Sequence, residues 1–217
     1  ELERIGVHQS MSILPPHVDL DEIFPLPRSG QGRPQVLYSG NLGRKQGLEQ
    51  LLLAASRLEE MDGEIDVVIR GTGNQEEALR RQASDLSLSN VTFESFVKRS
   101  QLNTALGEAA VHVLCQEPSG AGFAVPSKVF TAMASGRPII CSVPDSGNWR
   151  LLSESSQALT IVSPDDPRAF AEAIHGMVHR PAYAAAVGRR GRAFVESVAG
   201  RDTVMRQVQS IVCEGDQ

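Results

Sequence analysis

Val36-Leu37-Tyr38-Ser39-Gly40-Asn41-Leu42-Gly43-Arg44-Lys45-Gln46-Gly47-Leu48 joins a short apolar run to a glycine-rich turn and the turn to an amphipathic stretch. The run Val36–Ser39 has the length of a strand. Beyond the turn, Leu48, Leu51, Leu52, Ala55 and Leu58 keep the spacings of three and four that mark one face of a helix. The stretch therefore reads as a strand, a turn and a helix.

The same unit recurs outward from it. Strands are expected at Val36–Ser39, Ile65–Ile69, Val91–Glu94, Val111–Leu114, Pro138–Cys141 and Leu159–Val162. Helices are expected near Gly47–Met61, Gln75–Leu86, Arg99–Ala109, Ser127–Ser135, Gly147–Ser153 and Pro167–Val178, with a final pair near Pro181–Val195 and Arg201–Val212. Asp166-Pro167 reads as a cap followed by proline at the first helical position. The strands are short, continuous and apolar, as expected where helices cover both faces. Strand–helix units in series imply an α/β fold: a Rossmann-like, doubly wound parallel sheet of about six strands with helices on both faces. Residues 1–34 carry Pro15, Pro16, Pro25, Pro27 and Pro34 and read as an interdomain linker with one short strand at Ser12–Leu14. Residues 35–217 read as one domain. Initiator removal rarely leaves Glu1, so the chain is expected to be a piece of a longer protein.

The chain has 217 residues, 41% of them hydrophobic and 22% charged, with a formal net charge of −5. That balance argues against a nucleic-acid binder, which is more often basic. No run approaches a membrane-spanning helix, and none reads as a signal peptide. The three cysteines have no metal-ligand spacing. Cys115 and Cys141 each end an apolar run and read as half-buried thiols of a reducing compartment, so a cytoplasmic location is expected.

In an open α/β sheet, ligands bind beyond the carboxyl ends of the strands, near the switch in strand order. Four turns there carry unusual chemistry. In Ser39–Gly47, three glycines let backbone N–H groups approach an anion, and Arg44 and Lys45 add positive charge; the alternative is an ordinary glycine-rich turn with solvated cations. It is neither the dinucleotide fingerprint nor a P-loop. In Arg70-Gly71-Thr72-Gly73-Asn74, Gly71 and Gly73 permit close backbone approach, and Thr72 either donates to a phosphate or caps the next helix. In Phe96-Val97-Lys98 the backbone can meet a base edge while Phe96 or Val97 covers its face; the alternative for Phe96 is packing on the core. The fourth turn, Ser119–Pro138, runs through Pro126-Ser127 into a short helix. Free N–H groups are expected there at Val125–Lys128, and Ser127 can cap or donate. Lys128 opposes the helix dipole, which makes more sense if an anion is sometimes present. Asp165-Asp166 reads as a cap rather than as a metal motif, and His112 as a satisfied core histidine.

These turns, in this order, resemble the C-terminal, donor-binding domain of GT-B-fold glycosyltransferases. The match is to family 4, in the branch that resembles colanic-acid and capsular-polysaccharide transferases. The matching pieces are Leu14-Pro15-Pro16-His17-Val18-Asp19, Tyr38-Ser39-Gly40-Asn41-Leu42 through Lys45-Gln46-Gly47-Leu48, Arg70-Gly71-Thr72-Gly73, and Pro126-Ser127-Lys128 through Gly136-Arg137-Pro138. The resemblance implies that Gly40 and Asn41 face the diphosphate or the transferred sugar, and that Lys45 neutralises the diphosphate. It implies that Gly71 and Gly73 line the nucleotide cleft, that the backbone at Phe96 and Val97 contacts the base, and that Val125, Ser127 and Lys128 hold phosphate oxygens. Thr131 stands where many relatives bind the ribose with a glutamate, and Asn41 where many carry an arginine. The implied activity is transfer of a hexose from a UDP- or GDP-sugar to a polysaccharide or lipid-linked acceptor, with no metal. An N-terminal acceptor-binding domain would complete the enzyme, with peripheral membrane association at the inner face through the full-length protein. The isolated chain would then be nearly inactive. Two alternatives remain at this point: a non-catalytic nucleotide-sugar-binding module, and a sugar-nucleotide epimerase of the same fold.

Overall fold

The computed structural model describes residues 15–30, 32–61, 63–117 and 125–214. Strand and helix alternate as β1 (Gln35–Ser39), α1 (Glu49–Met61), β2 (Asp66–Arg70), α2 (Glu76–Asp85), β3 (Val91–Glu94), α3 (Arg99–Gly107), β4 (Val111–Cys115), α4 (Lys128–Ala134), β5 (Ile139–Ser142), α5 (Gly147–Ser156), β6 (Leu159–Val162) and α6 (Pro167–Val178). The helices α7 (Pro181–Val198) and α8 (Arg201–Glu214) follow. The strands form one parallel sheet in the order β3-β2-β1-β4-β5-β6. The strands expected from Val36 onward and the expected helices appear, with ends shifted by a few residues. The strand expected at Ser12–Leu14 and the loop Ser119–Ala124 lie outside the described residues.

Strand alternation divides the interior in two. Val36, Tyr38, Val67, Ile69, Val111, Val113 and Cys115 point to one face and pack with α1, α2 and α6 around Phe170. Leu37, Val68, Leu114, Ile139 and Cys141 point to the other and pack with α3, α4, α5 and α7 around Trp149. Each large side chain so buried contributes roughly 1.5–3 kcal/mol relative to exposure. The thiols of Cys115 and Cys141 are wholly buried, not half-buried, because both lie on interior strands covered on each side. Asp166 caps α6 as expected, accepting from the Ala169 amide at 2.8 Å, with Pro167 in the first turn.

The residues before β1 are tied to the domain. The Val18 amide donates to the Ala199 carbonyl at 3.0 Å, and Val18 and Ile23 are buried. Arg192 donates to the carbonyls of Ile23 and Ala134 at 2.7 and 3.0 Å. Arg137 donates to the carbonyls of Leu26 and Gly107. The Phe24 amide donates to the Asn103 side chain at 3.0 Å. Arginine-to-carbonyl bonds thus do for this proline-rich segment what a strand ladder cannot.

From β1 the chain builds outward to β2 and β3, then returns to place β4 on the other side of β1 and builds the opposite way. The first helices after β1 and β4 therefore diverge, and a crevice opens at the carboxyl ends of those two strands.

Candidate functional site: a cleft between the ends of β1 and β4

The first two turns are stitched together. Gly40 N–H donates to the Arg70 carbonyl and Leu42 N–H to the Thr72 carbonyl, both at 2.9 Å, and the Leu42 carbonyl accepts from Gln75 N–H at 2.9 Å. A Cβ on Gly71 would overlap the Gly40 carbonyl oxygen, and one on Gly73 would overlap that of Leu42. The two glycines therefore let one turn lie against the other; neither lines the cleft. Thr72 does not cap α2, whose N-cap position is Gln75 with no side-chain bond. Gly47 takes the left-handed region at φ +55°, next to the point where Glu117 N–H donates to the Lys45 carbonyl at 3.0 Å. That bond ties the β1–α1 turn to the end of β4.

The cleft has a volume of about 420 Å³. It brings together five of the sequence candidates: Gly40, Phe96, Val97, Lys128 and Thr131. Its apolar floor comes from the α3–α4 side of the sheet, including Leu37, Leu106 and Val129. Phe96 is 55% exposed at its rim, so the core-packing alternative fails; the chain leaves the sheet after β3 and turns the ring outward. Asn41 and Lys45 are exposed on the β1–α1 turn and do not line the cleft, and neither do Val125 and Ser127 at the start of α4. The amides of Val129, Phe130 and Thr131 are taken by the carbonyls of Pro126 and Ser127. Among the described residues the Val125, Ser127 and Lys128 amides of this corner have no carbonyl partner, and Ser127 makes no side-chain cap.

Lys128 is the charged group at the base of the cleft. Its Nζ donates to the Tyr38 hydroxyl at 2.9 Å and lies 4.3 Å from the centroid of that ring. A Cβ on Gly40 would sit 3.1 Å from the same nitrogen. Among the described residues no carboxylate lies within ion-pair distance of it. Burial pulls its pKa down to about 8, against a smaller opposing pull from the thiols of Cys115 and Cys141. Burial in turn pushes the Cys115 thiol up to about 12 and holds the Cys141 thiol and the Tyr38 phenol well above their ordinary values.

Sequence reasoning missed Arg99 and Tyr38 in this region, whereas His112 is the satisfied core histidine it expected. Arg99 reaches the cleft from the first turn of α3 and pairs at 2.7 Å with Glu22 of the leading segment. His112 lines the cleft wall, with Nε2 3.2 Å from Ser135 Oγ, which itself donates to the Ala132 carbonyl at 2.7 Å. Burial, then the Arg137 charge, lower the His112 pKa to about 4. The only signal for Tyr38 was a phenol on a strand expected to be buried, since a buried hydroxyl needs a partner. Among the described residues no three His, Cys, Asp or Glu side chains are grouped as metal ligands.

Comparison with known proteins fits this arrangement. WcaI of Escherichia coli (strain K12), named for glycosyl transfer in colanic acid biosynthesis, is 27% identical over 173 residues, which is 79% of this chain and 41% of WcaI. The GDP-mannose-dependent alpha-(1-6)-phosphatidylinositol monomannoside mannosyltransferase of Mycolicibacterium smegmatis is 28% identical over 200 residues, 86% of this chain and 52% of that protein. The chain thus spans about half the length of these relatives. Anabaena Alr3699/HepE, solved in complex with UDP-glucose, shares the fold with a TM-score of 0.75 at 15% identity, over 91% of this chain and 56% of that one. The family model described as "Glycosyl transferases group 1" matches residues 20–194, most of the sequence, and the chain belongs to that family.

Proposed function

We propose that the chain binds a nucleoside-diphosphate sugar in the β1–β4 cleft and supplies the donor half of a hexosyltransferase. The single observation that carries this reading is a part-buried ammonium with no carboxylate partner among the described residues, Lys128, lining a cleft at the switch in strand order. In glycosyl transfer the bond between the anomeric carbon and the phosphate oxygen breaks, and negative charge grows on the departing diphosphate. A fixed cation at that oxygen lowers the barrier without reorganising in the reaction. Lys128 takes that part in this proposal, with no metal required. Phe96 and Val97 at the rim offer a face and backbone groups to the base, and Thr131 a single neutral hydroxyl to the ribose. Lys45, on the exposed turn, attracts the diphosphate from solution.

The names of the relatives support a UDP- or GDP-sugar: HepE was solved with UDP-glucose and the mycobacterial relative is named for GDP-mannose. We further propose that the acceptor, a polysaccharide or lipid-linked one, is bound by a preceding domain of the full-length protein, at the cytoplasmic face of a membrane. Among the described residues no helix is long and apolar enough to cross a membrane. The epimerase alternative requires acid and base carboxylates, and among the described residues no Asp or Glu lines the cleft.

The test is a melting-temperature panel of uridine, guanosine and adenosine diphosphates, their sugars and the bare nucleosides. A ligand present at one hundred times its dissociation constant adds about 2.7 kcal/mol. The reading expects one diphosphate series to stabilise the chain and its bare nucleoside to do so far less. Equal shifts from nucleoside and diphosphate would remove the phosphate site.

A further inference from the structure

We propose that Tyr38 is a positioning residue for donor binding, a clamp that holds the Lys128 ammonium against the Gly40 turn before any ligand arrives. The inference rests on the reading of Lys128 as a diphosphate contact. Tyr38 is wholly buried, so its hydroxyl has little freedom. That hydroxyl donates its one proton to the Asn41 carbonyl at 2.7 Å, which leaves only acceptor capacity facing Lys128. Lys128 Nζ fills it at 2.9 Å while also lying over the ring at 4.3 Å. One phenol therefore links the cation on α4 to the turn after β1, 90 residues away in sequence. A flexible lysine held in this way does not have to be ordered when the diphosphate binds. The other titratable groups acting on Lys128 are the thiols of Cys115 on β4 and Cys141 on β5, with Arg99 of α3 and His112 of β4 lining the same cleft.

The experiment measures UDP and GDP affinity of the 217-residue chain by calorimetry between pH about 6 and about 10, for wild type, Tyr38→Phe, Lys128→Met and the double variant. The phenylalanine keeps the ring and deletes the acceptor. Lys128→Met is expected to weaken diphosphate binding roughly tenfold or more, and Tyr38→Phe roughly threefold to tenfold. In the Lys128→Met background, Tyr38→Phe is expected to add nothing. Wild-type affinity falls as pH rises through about 8, and in Tyr38→Phe that inflection moves down, because the ring still excludes water while the acceptor that favoured the charged amine is gone. A merely structural role would lower the melting temperature and leave the inflection in place. Additive losses in the double variant, or an unmoved inflection, overturn the clamp while Lys128 stands as a diphosphate contact. A Lys128→Met variant that binds like wild type overturns the clamp and the diphosphate reading together.

Discussion

Lys45 on the β1–α1 turn and Lys128 at the start of α4 stand at the same end of the sheet, yet only one of them has a fixed position. Lys45 is exposed, and its side chain points from a turn anchored through the backbone. Lys128 is folded into the protein against Tyr38, and burial takes its pKa to about 8. An exposed cation is inexpensive to keep and is screened by salt and water. A buried one destabilises the fold and, in exchange, meets an arriving anion without rearrangement. The two lysines thus separate attraction from positioning.

The strongest way to break this comparison is to remove the common floor of the two turns. Gly71→Val drives a side chain into the Gly40 carbonyl, and the expected loss is about 3 kcal/mol or more in urea denaturation. A loss below about 1 kcal/mol would mean that the turns slide apart freely.

His112 sharpens the contrast as a third basic group, one that the fold keeps neutral. Its pKa is lowered to about 4, so the unfolded chain takes up a proton that the folded chain refuses. Stability is therefore fully present above the unfolded value near 6.5 and falls as pH drops from there to about 4, by up to about 3 kcal/mol. His112→Gln should flatten that slope in acid denaturation curves.

Lys128→Met is expected to stabilise the chain while weakening the ligand. The unfolded lysine keeps its proton to about pH 10.4, whereas the folded one releases it near 8. The wild-type penalty is full below pH 8 and fades as pH rises to the unfolded value. After the loss of the Tyr38 hydrogen bond, the variant should gain about 2 kcal/mol at neutral pH and little at high pH. Equal stability at both would show that the amine is not desolvated. Lys45→Met gives the smallest effect: stability within about 0.5 kcal/mol of wild type, and diphosphate affinity lower by about 1 kcal/mol with steeper salt sensitivity lost. Calorimetry at two salt concentrations checks both parts.

The fold was legible because its determinants are local. Runs such as Val111–Cys115 and the helical spacing from Leu48 to Leu58 declare their periods without reference to the rest of the chain. The site was legible only in part. Glycine-rich turns after strands marked the right end of the sheet, and Gly40, Phe96, Val97, Lys128 and Thr131 do surround one cleft. The sequence could not distinguish a glycine that faces a ligand from one that faces another turn, as Gly71 and Gly73 do. Nor did it separate the two lysines, since exposure depends on which strand lies beneath. The contact between Tyr38 and Lys128 joins residues 90 apart, and it exists because β4 returns to pair with β1.

The most direct measurement is a crystal structure of the chain with a bound nucleoside diphosphate. The account predicts a diphosphate oxygen about 3 Å from Lys128 Nζ, in the crevice between the ends of β1 and β4. A diphosphate bound elsewhere, or in the cleft but out of reach of Lys128 Nζ, would contradict it.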